Sequence, residues 1–343
     1  MNIVFSDEQR LHHGRGELGD GRLMPVVEMP RRAEMILARA REVGLGEVIA
    51  PEDYGRAPLE AVHAPDYLDF LETAWNDWEA EHGGEHDALP LIWPVRSLRN
   101  VPPDHIDGRL GYYALGATTP ITAHTWRSAT ASANTALSAA ALLAEGERAA
   151  FALCRPPGHH ATRDQLGGYC FLNNAAIAAE WLRERGSARV AVLDVDYHHG
   201  NGTQAIFYDR PDVLFISTHA DPRQEFPYFL GYSDECGAGA GEGFNLNLPL
   251  AWGSDWTAFA PALEAATSRI ADFAPEVLVV SLGVDTFERD PISRFKLTSD
   301  AFPRIGAKLA ALGLPTLFVM EGGYAVEEVG VNAVGVLTGF EDA

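Results

Sequence analysis

The chain has 343 residues, 47% of them hydrophobic, ample for a large buried core and compatible with a single large α/β unit. Asp and Glu number 48 against 26 Lys and Arg, a formal net charge of −22 that repels nucleic acid and anionic membrane and gathers cations, although acidity also serves solubility alone. No apolar run approaches the ~20 residues of a membrane span, no secretory leader pattern opens the chain, and three cysteines (Cys154, Cys170, Cys236) without a CxxC pair argue against a disulfide framework, so a cytoplasmic protein is expected.

The predicted elements begin with a strand at Asn2–Phe5 and helices at Arg31–Val43 and Asp66–Glu81. The stretch His82–Gly111 breaks the pattern with Gly83-Gly84, Pro90, Pro94 and Pro102-Pro103 and shows no sustained periodicity. A long irregular excursion inside a compact domain is uncommon and usually functional or an interface. Thr125 is a candidate N-cap for an Ala-rich helix, Trp126–Glu145, that Gly146 could close. From about Ala150 strands alternate with helices, as in parallel βαβ units. The strands are Ala150–Cys154, Arg189–Val195, Val213–Thr218, Val277–Leu282 and Thr316–Met320. The helices are Leu172–Arg185, Trp256–Phe273, Asp300–Leu312 and Val326–Leu337. Several strands are apolar throughout, as expected when helices cover both sheet faces. The expectation is one α/β domain over 1–343, with a loop insertion at about 82–111.

Four motif blocks follow apolar strands. The first runs Val192-Leu193-Asp194-Val195-Asp196-Tyr197-His198-His199-Gly200-Asn201-Gly202-Thr203. In extended chain, residues two apart point the same way, so Asp194, Asp196 and His198 should share a face. Parallel strands place ligands at their carboxyl ends, and carboxylates grouped there call for a cation. One such Asp would usually be a helix cap; two with a His at period two would not. The second block, Val279 to Asp285, offers another carboxylate behind Gly283, where the backbone can pass close to the site. Alone, Asp285 would be a turn former; with Asp196 and His198 it completes a three-ligand set with an open position, the organisation of catalytic zinc sites.

The third block is Cys154-Arg155-Pro156-Pro157-Gly158-His159-His160. An imidazole beside metal-bound water can take its proton and return it to a leaving amine. Asp194 and Asn201 are candidates for orienting such rings. The fourth, Met320-Glu321-Gly322-Gly323-Tyr324, could deliver a Tyr hydroxyl to a developing oxyanion, although a Tyr packed over a Gly turn is the commoner meaning of that pattern alone. Gly237 to Gly243 is glycine-rich but lacks GxGxxG spacing and reads as a mobile loop. There is no GxSxG, HExxH or P-loop.

Together RPPGHH, GGYCFLNN, DVDYHHGNGTQ, SLGVDTF and EGGY, over roughly Ala150–Gly339, resemble the histone-deacetylase superfamily with its arginase–deacetylase α/β fold. Glu28-Met29-Pro30-Arg31-Arg32-Ala33, Val62 to Leu68 and the insertion make the chain most similar to bacterial acetylpolyamine amidohydrolases. The resemblance implies that Asp196, His198 and Asp285 bind zinc, a set that Fe(II) or Co(II) can also occupy. It implies that His160, supported by Asn201, is general base then acid, that His159 with Asp194 acts electrostatically, and that Tyr324 stabilises the oxyanion. Gly168, Tyr169 and Phe226 would line the acyl-amine tunnel. Structural potassium would use Asp194, Asp196, His198, Ser217 and Thr218, and a second alkali site Phe207, Arg210 and Val213. The insertion would narrow the entrance and build a homodimer.

Two departures bear on substrate. Gly111-Tyr112-Tyr113-Ala114 lacks the rim Asp with which protein-lysine deacetylases grip a peptide, which favours a small amine. Thr118 stands where some polyamine-type relatives have Glu, which leaves Asp107, with Asp104, as the acidic rim candidates. The expected activity is hydrolysis of N-acetylated polyamines or diamines such as acetylputrescine, acetylcadaverine and acetylspermidine. The alternatives are acetyl-lysine in proteins or another small amide, and a non-enzymatic metal-binding scaffold.

Overall fold

The computed structural model describes residues 1–19, 21–95, 97 and 99–343. In chain order the first half runs β1 (Asn2–Val4), β2 (Glu17–Gly19), β3 (Arg22–Met24), α1 (Arg31–Glu42), β4 (Val48–Ile49), α2 (Ala57–Glu60), α3 (Pro65–His82), α4 (Ile106–Tyr112) and α5 (Thr125–Ala144). The second half runs β5 (Ala149–Ala152), α6 (Asn174–Glu184), β6 (Val190–Asp194), α7 (Asn201–Phe207), β7 (Val213–Ala220), β8 (Asn245–Leu250), α8 (Trp256–Phe273), β9 (Val277–Leu282), α9 (Ala301–Ala310), β10 (Thr316–Met320) and α10 (Val326–Glu341).

Eight strands form one parallel sheet in the order β4-β1-β5-β10-β9-β6-β7-β8, and β2 and β3 form a separate antiparallel pair. The apolar central strands alternate between two cores. Val190, Val192, Val277 and Val279 pack on the side of α3, α5 and α6. Ala191, Leu193, Leu278, Val280 and Leu282 pack on the side of α1, α8, α9 and α10. Burial on both faces explains why these strands are apolar at every position. It is the predicted α/β architecture.

Where the expected boundaries hold best, local chemistry marks them. Asp255 caps α8 by accepting from the N–H groups of Thr257 (2.9 Å) and Ala258 (3.3 Å). Elsewhere the structure differs. Thr125 is the first helical residue of α5 rather than its cap, and its hydroxyl accepts from the Thr122 N–H at 2.8 Å. The glycine-rich stretch holds a short 3-10 turn at Gly239–Gly241, tied by the Ala238 N–H to the Tyr208 carbonyl (2.8 Å), with Gly241 buried against Asp209 and Arg210. The excursion at 82–111, of which Arg96 and Leu98 lie outside the described residues, holds helix α4. Gly108 and Gly111 mask it from propensity. Gly111 is needed there, since a Cβ would lie 1.5 Å from the Ile92 carbonyl oxygen. Strand β8 also escapes sequence reading. Its Asn-Leu-Asn-Leu alternation and Pro249 suit an edge strand, with Leu246 and Leu248 against the core and Asn245 and Asn247 in a polar network.

The topology makes neighbours of β5, β10, β9 and β6, and the four motif blocks leave from their carboxyl ends. Sequence-distant residues therefore meet at one edge of the sheet, where such sheets put their ligands.

Candidate metal centre and active-site cavity

Strand β6 stops at Asp194, and the turn that follows is made by its own carboxylates. Asp194 Oδ1 accepts from the Asp196 N–H at 3.1 Å, and Asp196 Oδ1 accepts from the His198 N–H at 2.9 Å. The period-two reading is thereby corrected: Asp196 and His198 turn towards Asp285, whereas Asp194 turns towards His159. His198 Nδ1 lies 3.0 Å from Asp285 Oδ2 and 3.4 Å from Asp196 Oδ1, and one donor atom from each of the three lies within 4.8 Å of the others. All three are buried. Backbone N–H groups orient the carboxylates, from Gly322 to Asp196 Oδ2 (2.8 Å) and from Tyr197 to Asp285 Oδ1 (2.8 Å). A Cβ on Gly283 would stand 2.0 Å from Asp196 Oδ2, and one on Gly322 2.6 Å from Asp285 Oδ2. Two buried carboxylates beside one imidazole, with no Lys or Arg bonded to them among the described residues, are a donor set that fits a divalent cation.

A second buried group, His159, Cys170 and Glu321, is also close enough to hold an ion. Glu321 Oε2 and His159 Nδ1 are already engaged, whereas Glu321 Oε1 has no hydrogen-bond partner among the described residues. Glu321 accepts from the N–H groups of Gly158 (2.6 Å) and His159 (3.1 Å), and His159 Nδ1 faces Asp194 Oδ2 at 2.9 Å. Glu321 thus sets the His159-His160 turn, a role hidden in the fourth motif.

The two adjacent histidines, with ring centroids 4.0 Å apart, are driven in opposite directions. Burial opposes a charge on His159, but the carboxylates of Asp194 and Asp196 outweigh it and hold its pKa up at about 10. Burial pushes His160 well below the usual histidine range, helped by His159 and His198. Asn201 Nδ2 donates to the His160 carbonyl (3.3 Å), which leaves Asn201 Oδ1 to accept from His160 Nδ1–H at 2.7 Å. His160 Nε2 therefore keeps its lone pair. Burial also raises Tyr324 well above the ordinary phenol value, so its hydroxyl remains a donor.

The Tyr324 turn rests on residues to which sequence reading assigned no role. Arg32, fully buried, donates from Nε to the Gly323 carbonyl and from an Nη to the Glu321 carbonyl, both at 2.5 Å. Its guanidinium lies 4.6 Å from the Tyr324 ring centre. Glu28 bridges Arg32 and Arg155, each at 2.9 Å. The Glu28–Ala33 block was visible as sequence, but nothing local showed that its charges are buried.

These groups open into a cavity of about 420 Å³. Its walls include the expected Gly168, Tyr169 and Phe226, with Thr118, Tyr228 and Ile292, and His160, His198 and Tyr324 are among its lining residues. Gly168 is obligatory, because at φ 54° a Cβ would lie 2.2 Å from the His160 ring. Asp107 does not line this cavity; it is exposed and pairs with His82 at 2.7 Å, and Asp104 is likewise exposed and outside it. The carboxylates that do line it are Glu17 and Glu225. Glu17 accepts from the Tyr169 hydroxyl at 3.2 Å, and burial raises its pKa to about 7. Glu225 accepts from the Tyr197 hydroxyl at 2.6 Å. No Lys or Arg is among the lining residues described. A roomier surface cavity, about 530 Å³ beside Trp126 and Asn134, contains none of the motif residues.

Ser217 sits opposite Asp194 in the β6–β7 register, and the Thr218 hydroxyl lies 3.4 Å from the Asp194 carbonyl oxygen. Phe207, Arg210 and Val213 gather where α7 leads into β7; the Arg210 N–H donates to the Phe207 carbonyl at 3.0 Å, and its guanidinium pairs with Asp212 and Glu180. Among the described residues no helix is long and apolar enough to cross a membrane.

A family model described as the histone deacetylase domain matches residues 26–340. Acetylpolyamine amidohydrolase 2 of Pseudomonas aeruginosa is 60% identical over 341 residues, 99% of each chain. The acetylpolyamine amidohydrolase of Mycoplana ramosa is 49% identical over 339 residues, again 99% of each. Among solved structures, the acetylpolyamine aminohydrolase of Burkholderia pseudomallei has a TM-score of 0.93 at 45% identity, covering 99% of this chain and 98% of that one. The HDA15 HD domain has a TM-score of 0.81 at 26% identity, covering 99% and 89%. With matching fold, matching length and a candidate three-donor metal site at the carboxyl edge of the sheet, the chain belongs to the histone-deacetylase superfamily, alongside its bacterial acetylpolyamine amidohydrolases.

Proposed function

We propose that this metal-dependent deacetylase hydrolyses N-acetylated polyamines and diamines, among them acetylputrescine, acetylcadaverine and acetylspermidine, to acetate and free amine. The observation that carries the substrate class is the cavity itself, walled by Glu17 and Glu225 with no basic side chain among its described lining residues. Such a wall favours a cation and disfavours an anion. Full-length relatives at 45–60% identity bear the acetylpolyamine amidohydrolase name, which agrees with that reading.

Asp196, His198 and Asp285 would hold one zinc ion, and when bound it would polarise the acetyl carbonyl and acidify a water. His160 takes the water proton on Nε2, since burial keeps this ring neutral and Asn201 fixes its other nitrogen. Tyr324 donates to the carbonyl oxygen as negative charge builds there. His160 then returns the proton to the departing nitrogen as the C–N bond breaks. His159, kept cationic beside Asp194, adds positive charge to the site without transferring the proton. The divergence of two neighbouring titratable groups supports this division of roles.

Acetyl-lysine in proteins is the alternative substrate, and Gly111-Tyr112-Tyr113-Ala114 offers no rim acid to grip a peptide. The insertion at 82–111 exposes Leu91 (77%), Ile92 (64%), Val95 and Val101, a patch suited to pairing with a second copy and narrowing the entrance. Asp107 would then matter at that interface. Structural potassium at the Asp194–His198 turn with Ser217 and Thr218, the second alkali site at Phe207, Arg210 and Val213, and a cytoplasmic setting complete the proposal. The test is acetate release by zinc-loaded protein from N-acetylputrescine, N-acetylcadaverine, N8-acetylspermidine and an acetyl-lysine peptide. Catalytic efficiency should be at least about tenfold higher on the small amines, a difference of ~1.4 kcal/mol in transition-state binding. Preference for the peptide would overturn the substrate class and leave the metal chemistry standing.

A further inference from the structure

Tyr324 can serve an oxyanion only if its backbone is held still, and two glycines precede it, with Gly323 at φ 136°. Glycine supplies no conformational preference of its own. The turn must be clamped from outside. Its carbonyls are held by Arg32, and its Gly322 carbonyl accepts from the Val284 N–H at 2.9 Å. The amides that lead into α10 are held by a different group. Asp290, only 6% exposed, accepts through Oδ2 from the N–H groups of Tyr324 (2.6 Å) and Ala325 (3.2 Å).

The other oxygen of the same carboxylate reaches a second wall of the cavity. Asp290 Oδ1 accepts from the Ile292 N–H at 3.1 Å, and Ile292, like Tyr324, lines the cavity. The Asp290 N–H is itself tied to the Phe287 carbonyl at 3.0 Å. One carboxylate thus joins the loop after β9 to the loop after β10, each carrying a residue that faces the substrate space. Burial raises its pKa to about 6 against the three N–H donors. Keeping an anion there is costly, and no Lys, Arg or His forms an ion pair with it among the described residues. A purely architectural tie between two loops needs no charge, whereas a fixed acceptor for three converging N–H groups needs both carboxylate oxygens.

We infer that Asp290 is the positioning residue for the Tyr324 hydroxyl, clamping its turn and the Ile292 wall through one carboxylate. The inference rests on the reading of Tyr324 as oxyanion donor. A misplacement of about an ångström at such a donor is enough to cost ~10²-fold in rate. Asp290→Asn keeps the size but presents an NH₂ to one set of N–H donors, so the clamp is broken on one side.

The experiment is a double-mutant cycle with N-acetylputrescine, or whichever acetylated amine is turned over fastest. It compares Asp290→Asn, Tyr324→Phe and the pair, with bound metal and thermal midpoint measured for each. Asp290→Asn is expected to lower kcat about ten- to a hundredfold with metal content intact, and the double variant to be no slower than Tyr324→Phe alone, within about threefold. A double variant that loses the full Asp290→Asn factor again would overturn the inference, as would Asp290→Asn turning over within about threefold of the parent. Near-normal turnover by Tyr324→Phe would overturn this inference together with the oxyanion role; additive losses on a crippled Tyr324→Phe would overturn this inference alone. Should Asp290→Asn fail to fold, Asp290→Ser, smaller and still able to accept one N–H, is carried through the same cycle and read the same way.

Discussion

The floor and the wall of the cavity are built by different means. The floor, comprising Asp196, His198, Asp285, His160 and Tyr324, comes from loops at the carboxyl ends of β5, β6, β9 and β10, where hydrogen bonds from backbone and neighbouring side chains orient the carboxylates and one nitrogen of each imidazole. The wall is assembled from scattered pieces: Glu17 on the small β2–β3 pair, Thr118 before α5, Tyr228 after β7 and Ile292 after β9. A floor that performs chemistry tolerates few residue types and little movement. A wall that selects substrates needs only shape and charge, and it can be drawn from anywhere the fold brings near.

Damage to the floor should therefore strike turnover and damage to the wall should strike selection. The largest effects belong to the floor. His160→Ala should cut kcat by about 10²–10⁴ and Tyr324→Phe by about 10²–10³, both with metal still bound, as read by metal analysis beside acetate release. Turnover within tenfold of the parent would remove that residue from the proton or oxyanion role.

Glu17→Gln tests the wall. It should raise KM for N-acetylputrescine about tenfold, roughly the worth of one charge-assisted contact, and leave the uncharged analogue N-butylacetamide unaffected. Equal losses on both substrates would make Glu17 a packing residue. The pH dependence has a definite sign. Glu17 in the folded protein titrates at about 7, above its ordinary 4.5, so it is neutral below that range and anionic above it. KM for the cationic substrate should therefore fall as pH rises through about 7, and the Gln variant should lose that trend. The same raised pKa makes Glu17 stabilising below pH 4.5, a contribution lost as pH climbs through 7. Relative to the parent, the Gln variant should thus gain thermal stability between pH 5 and pH 8.

The smallest effect on chemistry is expected from the insertion. Leu91→Asp combined with Ile92→Asp should shift the protein from dimer to monomer in sedimentation while kcat changes by less than about threefold, since neither residue reaches the floor. A parent that sediments as a monomer at micromolar concentration would remove the interface role of residues 82–111.

The candidate metal ligands, the paired histidines and the parallel sheet were legible because each obeys a local rule. Strands buried on both faces must be apolar throughout, and grouped carboxylates with His at the end of such a strand leave few alternatives to a cation. The gathering of Asp196, His198 and Asp285 matches that reading, and even the glycines beside them follow from the approach of carboxylate oxygens. Asp194 shows the limit. Extended geometry put it on the face of Asp196 and His198, but β6 ends at Asp194 and the chain turns, so it serves His159 instead.

The acid in the cavity could not be read at all. Asp107 was the candidate by position, and it pairs with His82 outside the cavity, whereas Glu17 and Glu225 stood in unremarkable local sequence. Nor did anything near Arg32, Glu321 or Asp290 in the chain show that they clamp loops more than thirty residues away. Residue type and short-range spacing were enough to single out the residues that gather in the floor, because metal binding and proton transfer demand particular side chains at particular strand ends. The order of the strands, the identity of the walls and the buried clamps were decided by tertiary structure alone, because they depend on which distant segments the folded sheet brings within a few ångströms of one another.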